Sequence, residues 1–379
     1  MKWGGHIVIM LAAAMTLLAQ PLRAGIPNDA DFTAIAGAAE QEIASGNIPG
    51  AVILIGSRDG LLYRGVFGHR TLGKTPTPMS ADTIFDLASL TKVVATTTAI
   101  MQLADAGKID LAAPVGRYWP EFAQVDEGAI TISDLLTHHS GLPADLDLRQ
   151  PWSGYQTAMA MILAQRPHAR PGTAYLYSDI NFEILGEIVR RVSGDPLDLY
   201  CRDNVFAPLG MKGTLFRPPL SLQNRIAPTA GESGRVYWGE VHDATARRMG
   251  GVAGHAGLFS TADDLALFAR MVLNGGMADG AAILSRASVA KMTSRQSPPA
   301  STRARGLGWD LGGPDGLAAF PAGSFGHFGF TGTMLWIDPK ADLFAIVLTH
   351  RVYPSGRGNA DPLRRKVLGI LWQAIGNAD

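Results

Sequence analysis

Ser89 and Lys92 are the two residues of this 379-residue chain whose types and spacing best suit chemistry. They lie three positions apart, close to one turn of a helix, so that the hydroxyl and the amine can meet. A helix is predicted to begin at Ser89, since the following residues repeat with the period of one buried face before Gly107 supplies a stop. The residues of that face are Leu90, Val93, Val94, Thr97, Met101 and Ala104. A hydroxyl beside an amine predicts a serine nucleophile that forms an acyl-enzyme.

A purely structural role for Ser89 is the alternative, because serine is a good helix N-cap. A capping box would place Glu or Gln three residues after the cap, whereas this chain has Lys92 there. A cation in the first turn also opposes the positive end of the helix dipole. Activation of Ser89 would give Lys92 a reason to occupy this unfavourable position.

Two further segments place polar or titratable residues beside predicted regular structure. In residues 171–181 a turn leads into a helix, and Tyr177 lies in the loop just before that helix. In residues 326–333 the triplet His327-Phe328-Gly329 opens an extended stretch that runs to a turn at Pro339. The inner face of the helix after Tyr177 is predicted to consist of Ile180, Ile184, Leu185, Ile188 and Val192.

The three segments, in this order, resemble the S-x-x-K, Tyr-x-Asn and K-T-G motifs of the penicillin-recognising serine hydrolases. The similarity is greatest to the branch nearest class C β-lactamases and the DD-carboxypeptidases, and it covers nearly the whole chain after residue 24. Flanking segments that also resemble the family are residues 85–88, 130–143 and 254–265. The resemblance implies an α+β fold, with an antiparallel sheet flanked by helices and an inserted, mainly helical domain.

The hydrophobic pattern is consistent with strands near both ends of the chain. Residues 51–55 and 61–67 flank Arg58-Asp59-Gly60 and predict an early β-hairpin. Strands are expected again from about 306 to 348, and the chain is predicted to close with a helix over residues 362–375. Helical patterns dominate the middle.

This order predicts two domains that form a cleft. Residues 25–84 and 300–379 are expected to form a discontinuous α/β sheet domain, and residues 85–299 a mainly helical domain. Ser89 would lie in the cleft between them. Gly306-Leu307-Gly308-Trp309 lacks the third glycine of a dinucleotide fingerprint and is interpreted as a strand that enters the sheet.

The resemblance also implies roles for the motif residues. Neither lysine nor tyrosine is a free base at neutral pH, so Lys92 and Tyr177 must tune each other around Ser89. A buried ammonium loses its proton more readily, while a phenolate beside a cation is stabilised, so the two residues could share the proton, and the sequence does not show which of them holds it. Similarity to the class C branch makes Tyr177 the base of both half-reactions, with Lys92 in support. The backbone N–H groups of Ser89 and Phe330 would form the oxyanion hole. Gly329 would let substrate approach the strand closely.

Two residues depart from the family pattern. His327 replaces the lysine of K-T-G, which predicts a cation that titrates near neutral pH, so that binding of a substrate carboxylate would depend on pH. Asp179 replaces the asparagine of Tyr-x-Asn, and an ionised carboxylate cannot donate a hydrogen bond to a substrate carbonyl. Asp179 is therefore a candidate for substrate contact, while an N-cap role for Ser178 or Asp179 remains an equal alternative.

Other sites are disfavoured. The chain has no G-x-S-x-G elbow and no H-E-x-x-H motif, which argues against an α/β-hydrolase and a zinc protease. His138 and His139 are adjacent, and neighbours on a helix do not share a face, so a metal pair is not expected. His255 lies in a glycine-rich loop, where it either lines the cleft or serves the turn. We therefore predict neither a metal nor a cofactor.

Composition indicates a globular enzyme from outside the cytoplasm. The 33 basic and 33 acidic side chains balance, so no electrostatic footprint for nucleic acid exists. Residues 1–24 resemble a secretory signal peptide, whose apolar run is shorter than a membrane-spanning helix, and no stable membrane span is expected once it is removed. The lone Cys201 excludes an internal disulfide. The bacterial periplasm, or secretion, is the predicted location.

The sequence therefore predicts a periplasmic serine hydrolase that forms an acyl-enzyme on Ser89. The expected partner is a small-molecule or peptide substrate, an ester or amide such as a D-alanyl peptide of the cell wall or a β-lactam. The alternative is a non-catalytic peptidoglycan-binding protein that keeps the fold, which the changes at Asp179 and His327 leave open.

Overall fold

A computed structural model describes Met1 and residues 32–126, 129–231, 233–278, 280–312 and 321–376 of the protein. The predicted signal peptide therefore lies, apart from Met1, outside the described residues. Within them, no helix combines the length and the apolar character that crossing a membrane requires.

The described helices are distributed along the whole chain. The α-helices are α1 Thr33–Ala44, α2 Thr98–Asp105, α3 Ala123–Asp126, α4 Ile132–Leu136, α5 Tyr155–Leu163, α6 Asp179–Ser193, α7 Leu197–Cys201, α8 Ala244–Arg248, α9 Ala262–Leu273, α10 Arg286–Met292 and α11 Asp361–Gly376. Short 3-10 helices cover Val115–Arg117, Pro120–Phe122 and Leu220–Arg225, and π-helical turns cover Lys92–Thr97 and Arg202–Phe206.

The described strands form one large sheet and three small ones. The strands are β1 Gly50–Gly56, β2 Leu61–Thr71, β3 Thr77–Pro78, β4 Phe85–Asp86, β5 Leu215–Phe216, β6 Thr229–Ala230, β7 Val236–Tyr237, β8 Leu258–Ser260, β9 Met277–Ala278, β10 Ala281–Ala282, β11 Phe325–Phe328, β12 Met334–Asp338 and β13 Leu343–Thr349. The large sheet is antiparallel, in the order β11-β12-β13-β1-β2-β3.

The large sheet is buried on both faces at its centre, which explains why β1 is apolar throughout. Val52 and Leu54 face the main core, whereas Ile53 and Ile55 face a second core beneath α1 and α11. Alternate side chains of a strand point to opposite faces, so both sets must be apolar. The α+β fold, the early hairpin and the closing helix are thus confirmed.

The sheet takes its strands from both ends of the chain, as a discontinuous sheet domain requires. α9, from the segment predicted to be the helical domain, nevertheless packs on β1 and β13, so the two parts share the main core. The division at residues 84/85 and 299/300 stays a prediction. The expected strand at 306–309 is not regular: Asp310 makes two isolated bridges, one to Arg305 and one to Gly326 at the sheet edge.

Candidate active site

A strained turn presents Ser89 immediately after strand β4. Ala88 adopts a left-handed conformation with φ 46°, which costs free energy for a residue with a Cβ and is often found at functional sites. The turn is held by two hydrogen bonds: the Ala88 N–H donates to Asp86 Oδ1 at 2.9 Å, and Thr91 Oγ1 donates to the Ala88 carbonyl at 2.7 Å. Ser89 Oγ accepts a bond from Lys92 Nζ, and no N-cap bond to it is observed.

The helix after Ser89 begins with a π-helical turn before it becomes the α-helix α2, rather than being α-helical throughout. The hydroxyl of Thr98 donates to the carbonyl of Val93, five residues earlier, as the wider turn allows. π-Helical turns are frequent at functional sites. Gly107, with φ 68°, lies just after α2, as the sequence predicted for the helix end.

Lys92 is completely buried, and all three of its ammonium protons have acceptors. Nζ lies 3.0 Å from Ser89 Oγ, 3.1 Å from the carbonyl oxygen of His255 and 2.7 Å from Asp179 Oδ1. Burial alone would lower the pKa of Lys92, but Asp179 and Tyr177 outweigh burial and hold it above its ordinary value. The sequence left open whether Lys92 or Tyr177 holds the proton, and the raised pKa of Lys92 favours the lysine, because Asp179 compensates its charge.

Tyr177 approaches Lys92 from the loop before α6. Lys92 Nζ lies 5.0 Å from the centroid of the Tyr177 ring. The ring stacks on buried His138, with centroids 4.4 Å apart, and the Ser178 N–H donates to His138 Nδ1 at 3.1 Å. His138 thereby fixes both Tyr177 and the residue that follows it, a role that the sequence did not reveal.

His138 and His139 do not form a pair. The ring of His139 contacts the Thr137 carbonyl through Nδ1 at 2.8 Å and the Ser301 hydroxyl through Nε2 at 2.9 Å. Among the described residues, the group of side chains close enough to hold a metal lies elsewhere, at Asp179, Asp243 and His255.

Asp179 is the first residue of α6, but its carboxylate is directed at Lys92. The N-cap is Ser178, whose hydroxyl accepts a bond from the Asn181 N–H, so the N-cap alternative applies to Ser178 and not to Asp179. Asp179 also lines the cleft, with 23 % of its side chain exposed. The observed partner of Asp179 is thus Lys92, and contact between Asp179 and substrate stays a prediction.

His255 is buried between two acidic side chains at the cleft. Its Nε2 lies 2.9 Å from Asp243 Oδ1, and its Nδ1 lies 3.3 Å from Glu183 Oε1. Burial lowers the pKa of His255, but Asp243 and the other nearby carboxylates outweigh burial and raise it to about 9. Burial raises the pKa of Glu183 to about 8. His255 therefore has both of the roles that the sequence left open. It lines the cleft, and it holds the loop whose carbonyl binds Lys92.

The ligand atoms of Asp179, Asp243 and His255 lie within 4.8 Å of one another. Two cations already face these carboxylates, because Lys92 pairs with Asp179 and the His255 imidazole pairs with Asp243. The group is thus an ion-pair cluster in this arrangement. Asp243 and Glu183 were missed from the sequence because neither belongs to a spaced motif.

His327 lies on β11 and is 4 % exposed. Its Nδ1 contacts the Phe328 carbonyl at 2.9 Å, and its ring centroid is 6.1 Å from that of Tyr177. Burial, together with nearby Arg305 and Lys92, holds the pKa of His327 well below its ordinary value. The prediction of a cation that titrates near neutral pH is therefore wrong, and His327 does not supply a positive charge for a substrate carboxylate.

The segment after β11 is fastened to the Ser89 turn by two buried threonines. Thr331 Oγ1 donates to the Asp86 carbonyl at 2.7 Å, and Thr333 Oγ1 donates to the Leu87 carbonyl at 2.9 Å. A Cβ on Gly329 would lie 2.4 Å from the Leu87 carbonyl oxygen. The same Cβ would lie 2.0 Å from Thr333 Oγ1, so Gly329 makes room for both partners of this hydrogen bond. The close approach of substrate expected at Gly329 stays a prediction.

The oxyanion hole expected from the backbone N–H groups of Ser89 and Phe330 stays a prediction. Neither donates to another described residue, and both residues line the same cleft. The Phe330 side chain is 60 % exposed and stacks on His242 at a centroid distance of 5.5 Å.

This cleft has a volume of about 410 Å³ and brings together most of the predicted site residues. Ser89, Tyr177, Asp179 and Phe330 line it, whereas Lys92 lies beneath its floor. The rest of the lining is Ala88, Ala230, Gly231, Tyr237, His242, Asp243, Ala244, Arg247, His255, Ala256 and Gly356.

Comparison with known proteins agrees with this geometry. The Beta-lactamase family model matches residues 35–369, and the chain belongs to this family of serine hydrolases. The chain is 33 % identical over 324 residues to proteins of Salmonella agona and Salmonella typhi, each named "Putative D-alanyl-D-alanine carboxypeptidase", covering 76 % of this chain and 74 % of each relative.

Solved structures share the fold. A penicillin-binding protein homologue from Caulobacter crescentus has a TM-score of 0.76 at 24 % identity, covering 90 % of this chain and 97 % of the other. EstCE1, described as a hydrolase with promiscuous acyltransferase activity, has a TM-score of 0.71 at 24 % identity, covering 89 % and 97 %.

Proposed function

We propose that this protein is a periplasmic serine hydrolase that cleaves D-alanyl peptides, and related esters, through an acyl-enzyme on Ser89. The observation that carries the proposal is the 3.0 Å contact between Ser89 Oγ and a buried, fully hydrogen-bonded Lys92 ammonium beside Tyr177. The name of the Salmonella relatives supports a peptide substrate. The signal-like pattern of residues 1–24 supports the periplasm.

In this mechanism Lys92 remains an ammonium, because its three protons are engaged and its pKa is raised. The proton of Ser89 Oγ then passes to the Tyr177 phenolate oxygen, whose negative charge the adjacent ammonium stabilises. Oγ forms a bond to the substrate carbonyl carbon, and the C=O electron pair moves to the oxygen between the N–H groups of Ser89 and Phe330. One such donor is worth about 3 kcal/mol in the transition state.

Collapse of the tetrahedral intermediate breaks the bond to the leaving group. Tyr177 returns its proton to the departing amine or alkoxide, which leaves an ester on Ser89. A water molecule then attacks this ester, loses its proton to Tyr177 and releases the acid as Ser89 Oγ regains a proton. Asp179 supports both half-reactions by holding Lys92 in its charged form.

The proposal is tested with the purified chain and three measurements: release of D-alanine from an acylated D-alanyl-D-alanine peptide, release of nitrophenol from short acyl esters, and a mass adduct with a fluorophosphonate probe. Ser89→Ala should abolish all three. Ser193→Ala, which removes a serine hydroxyl bonded to the Val189 carbonyl at the end of α6, should retain them.

A non-catalytic peptidoglycan-binding protein is the competing function. It would bind cell-wall peptide equally well with or without Ser89, and the wild-type chain would turn over no ester or peptide faster than Ser89→Ala. That result would overturn the hydrolase proposal.

A further inference from the structure

One wall of the cleft carries an arginine that the proposed mechanism does not use. Arg247, on α8, lines the cleft together with Ser89, and its guanidinium carbon lies 4.2 Å from the centroid of the Tyr237 ring. His242 and Phe330 complete this wall by stacking on each other. The wall is thus aromatic, and Arg247 is the arginine among its described lining residues. The guanidinium carbon of Arg351 lies 4.3 Å from the centroid of the Phe330 ring, but Arg351 does not line the cleft.

The other positive charges at the cleft already have partners. Lys92 is shared by Ser89, the His255 carbonyl and Asp179, and the His255 ring lies between Asp243 and Glu183. His327, at the place of the family's cationic lysine, is buried with Nδ1 on the Phe328 carbonyl, and it does not line the cleft.

The side chain of residue 328 cannot bind a substrate anion in place of the missing lysine. Phe328, at the place of the K-T-G threonine, packs against Trp336 at a centroid distance of 5.4 Å in the second core. The site therefore has neither the lysine nor the threonine hydroxyl of that motif. A substrate with a carboxylate needs a donor from another part of the cleft.

Hydrogen bonds hold the Arg247 guanidinium in place without using all of its N–H donors on described residues. Its Nη1 donates to the carbonyls of Val241 at 2.8 Å and His242 at 2.7 Å, while Nε lies 3.6 Å from Glu240 Oε1. Its Nη2 has no hydrogen-bond partner among the residues that the structure describes, and 22 % of the side chain is exposed. A guanidinium fixed on one side can bind a carboxylate with little loss of conformational freedom.

We infer that Arg247 binds an anionic group of the substrate, so that this enzyme selects acyl compounds that carry a free carboxylate. The inference rests on the proposed hydrolase function and assigns to α8 the charge that the β11 segment lacks. It makes Arg247 a substrate-binding residue.

The test uses two aryl esters of an N-acylglycine that differ at one position of the leaving phenol: one has a meta-carboxylate, the other a meta-carboxamide. Wild type should have the higher kcat/KM for the carboxylate ester. Arg247→Gln should lower kcat/KM for that ester about tenfold more than for the carboxamide ester, mainly through KM, because a charge-assisted hydrogen bond is lost. Arg247→Lys should keep part of the preference.

Arg235→Gln is the matched control. Arg235 also lies over the Tyr237 ring, at 5.1 Å, and also pairs with Glu240, but it does not line the cleft and is 63 % exposed. This variant should keep the wild-type preference.

Two results would overturn the inference while leaving the hydrolase intact. They are turnover of both esters by wild type with no preference for the carboxylate, and an equal loss on both esters in Arg247→Gln. Failure of wild type to hydrolyse either ester would instead contradict the proposed function, and the inference with it.

Discussion

Lys92 Nζ lies 2.7 Å from Asp179 Oδ1, so a carboxylate occupies the position where the family's Tyr-x-Asn motif has an amide. The lysine is completely buried and the aspartate is 23 % exposed. Moving an ammonium out of water is unfavourable unless a counter-charge and hydrogen bonds compensate for it. Asp179 provides that counter-charge, and the result is a lysine locked in its protonated form beside Ser89.

Asp179→Asn should therefore destabilise the protein and shift its pH profile. The substitution leaves a buried ammonium without its counter-charge, which we expect to cost about 3 kcal/mol of unfolding free energy in urea titrations. The pKa of Lys92 should fall, because burial lowers it and Asp179 no longer opposes burial. Activity that needs the ammonium should then be lost on the alkaline side at a lower pH than in wild type.

Asp263→Asn provides the comparison, because Asp263 pairs with Arg64 at the surface with 47 % of its side chain exposed. Exposed pairs contribute about 0–1 kcal/mol, so this variant should unfold nearly as wild type does. Equal stability of Asp179→Asn and Asp263→Asn would show that Lys92 does not depend on Asp179.

Above pH 6.5, where the buried histidines with lowered pKa values no longer titrate, stability should fall as the pH rises, owing to Glu183 and His255. The folded pKa of Glu183 is about 8 against an ordinary 4.5, and that of His255 is about 9 against 6.5. Both groups bind protons more tightly in the folded state than in the unfolded state. The stabilisation from each group is therefore complete below its ordinary pKa and is lost as the pH rises through its folded pKa. The carboxylates of Asp145, Asp179 and Asp243 also raise the pKa of Glu183.

Glu183→Gln tests this linkage. Urea titrations between pH 6.5 and 8 should give a flatter decline of unfolding free energy than wild type, since each pKa unit removed is worth about 1.4 kcal/mol. Glu121→Gln, at a carboxylate that is 56 % exposed and paired with Arg191, should keep the wild-type decline. If all three proteins decline in parallel, Glu183 does not titrate in this range.

His327 should contribute no step to the pH profile near neutrality. Its pKa lies well below the ordinary value, so the imidazole is neutral throughout pH 6.5–8. In His327→Asn the absolute kcat/KM can change with the lost ring, but the shape of the profile from pH 6.5 to 8 should match wild type. A step present in wild type and absent from the variant would show that the buried ring does ionise.

The comparison of sequence and structure shows what a motif can predict. The spacing of Ser89 and Lys92 and the loop position of Tyr177 were readable in the sequence, and the three side chains lie together. The ionisation of Lys92 was not readable, because it depends on Asp179, which is distant in sequence and departs from the motif. A pKa follows from three-dimensional burial and charge rather than from residue type.

The same reason explains the missed residues. Asp243, Glu183 and the loop of His255 come from three separate segments, and nothing in their local patterns marks them as neighbours. For Gly329 the sequence predicted a close approach, but one of the two atoms that a Cβ would meet, the Leu87 carbonyl oxygen, belongs to a segment more than two hundred residues earlier.

Thr333→Val should lower kcat, because the hydroxyl of Thr333 fastens the Phe330 segment to the Ser89 turn through its hydrogen bond to the Leu87 carbonyl. Losing this buried hydrogen bond should cost about 1–3 kcal/mol of stability. It should also let the two oxyanion donors move apart. Thr349→Val removes an equally buried hydroxyl that donates to the Gly50 carbonyl at 2.7 Å, between β13 and β1, and Thr349 does not line the cleft. The two variants should lose similar stability in urea titrations, but Thr333→Val alone should lose kcat for nitrophenyl esters. Equal kcat in both variants would mean that this bond supports the fold and not the oxyanion site.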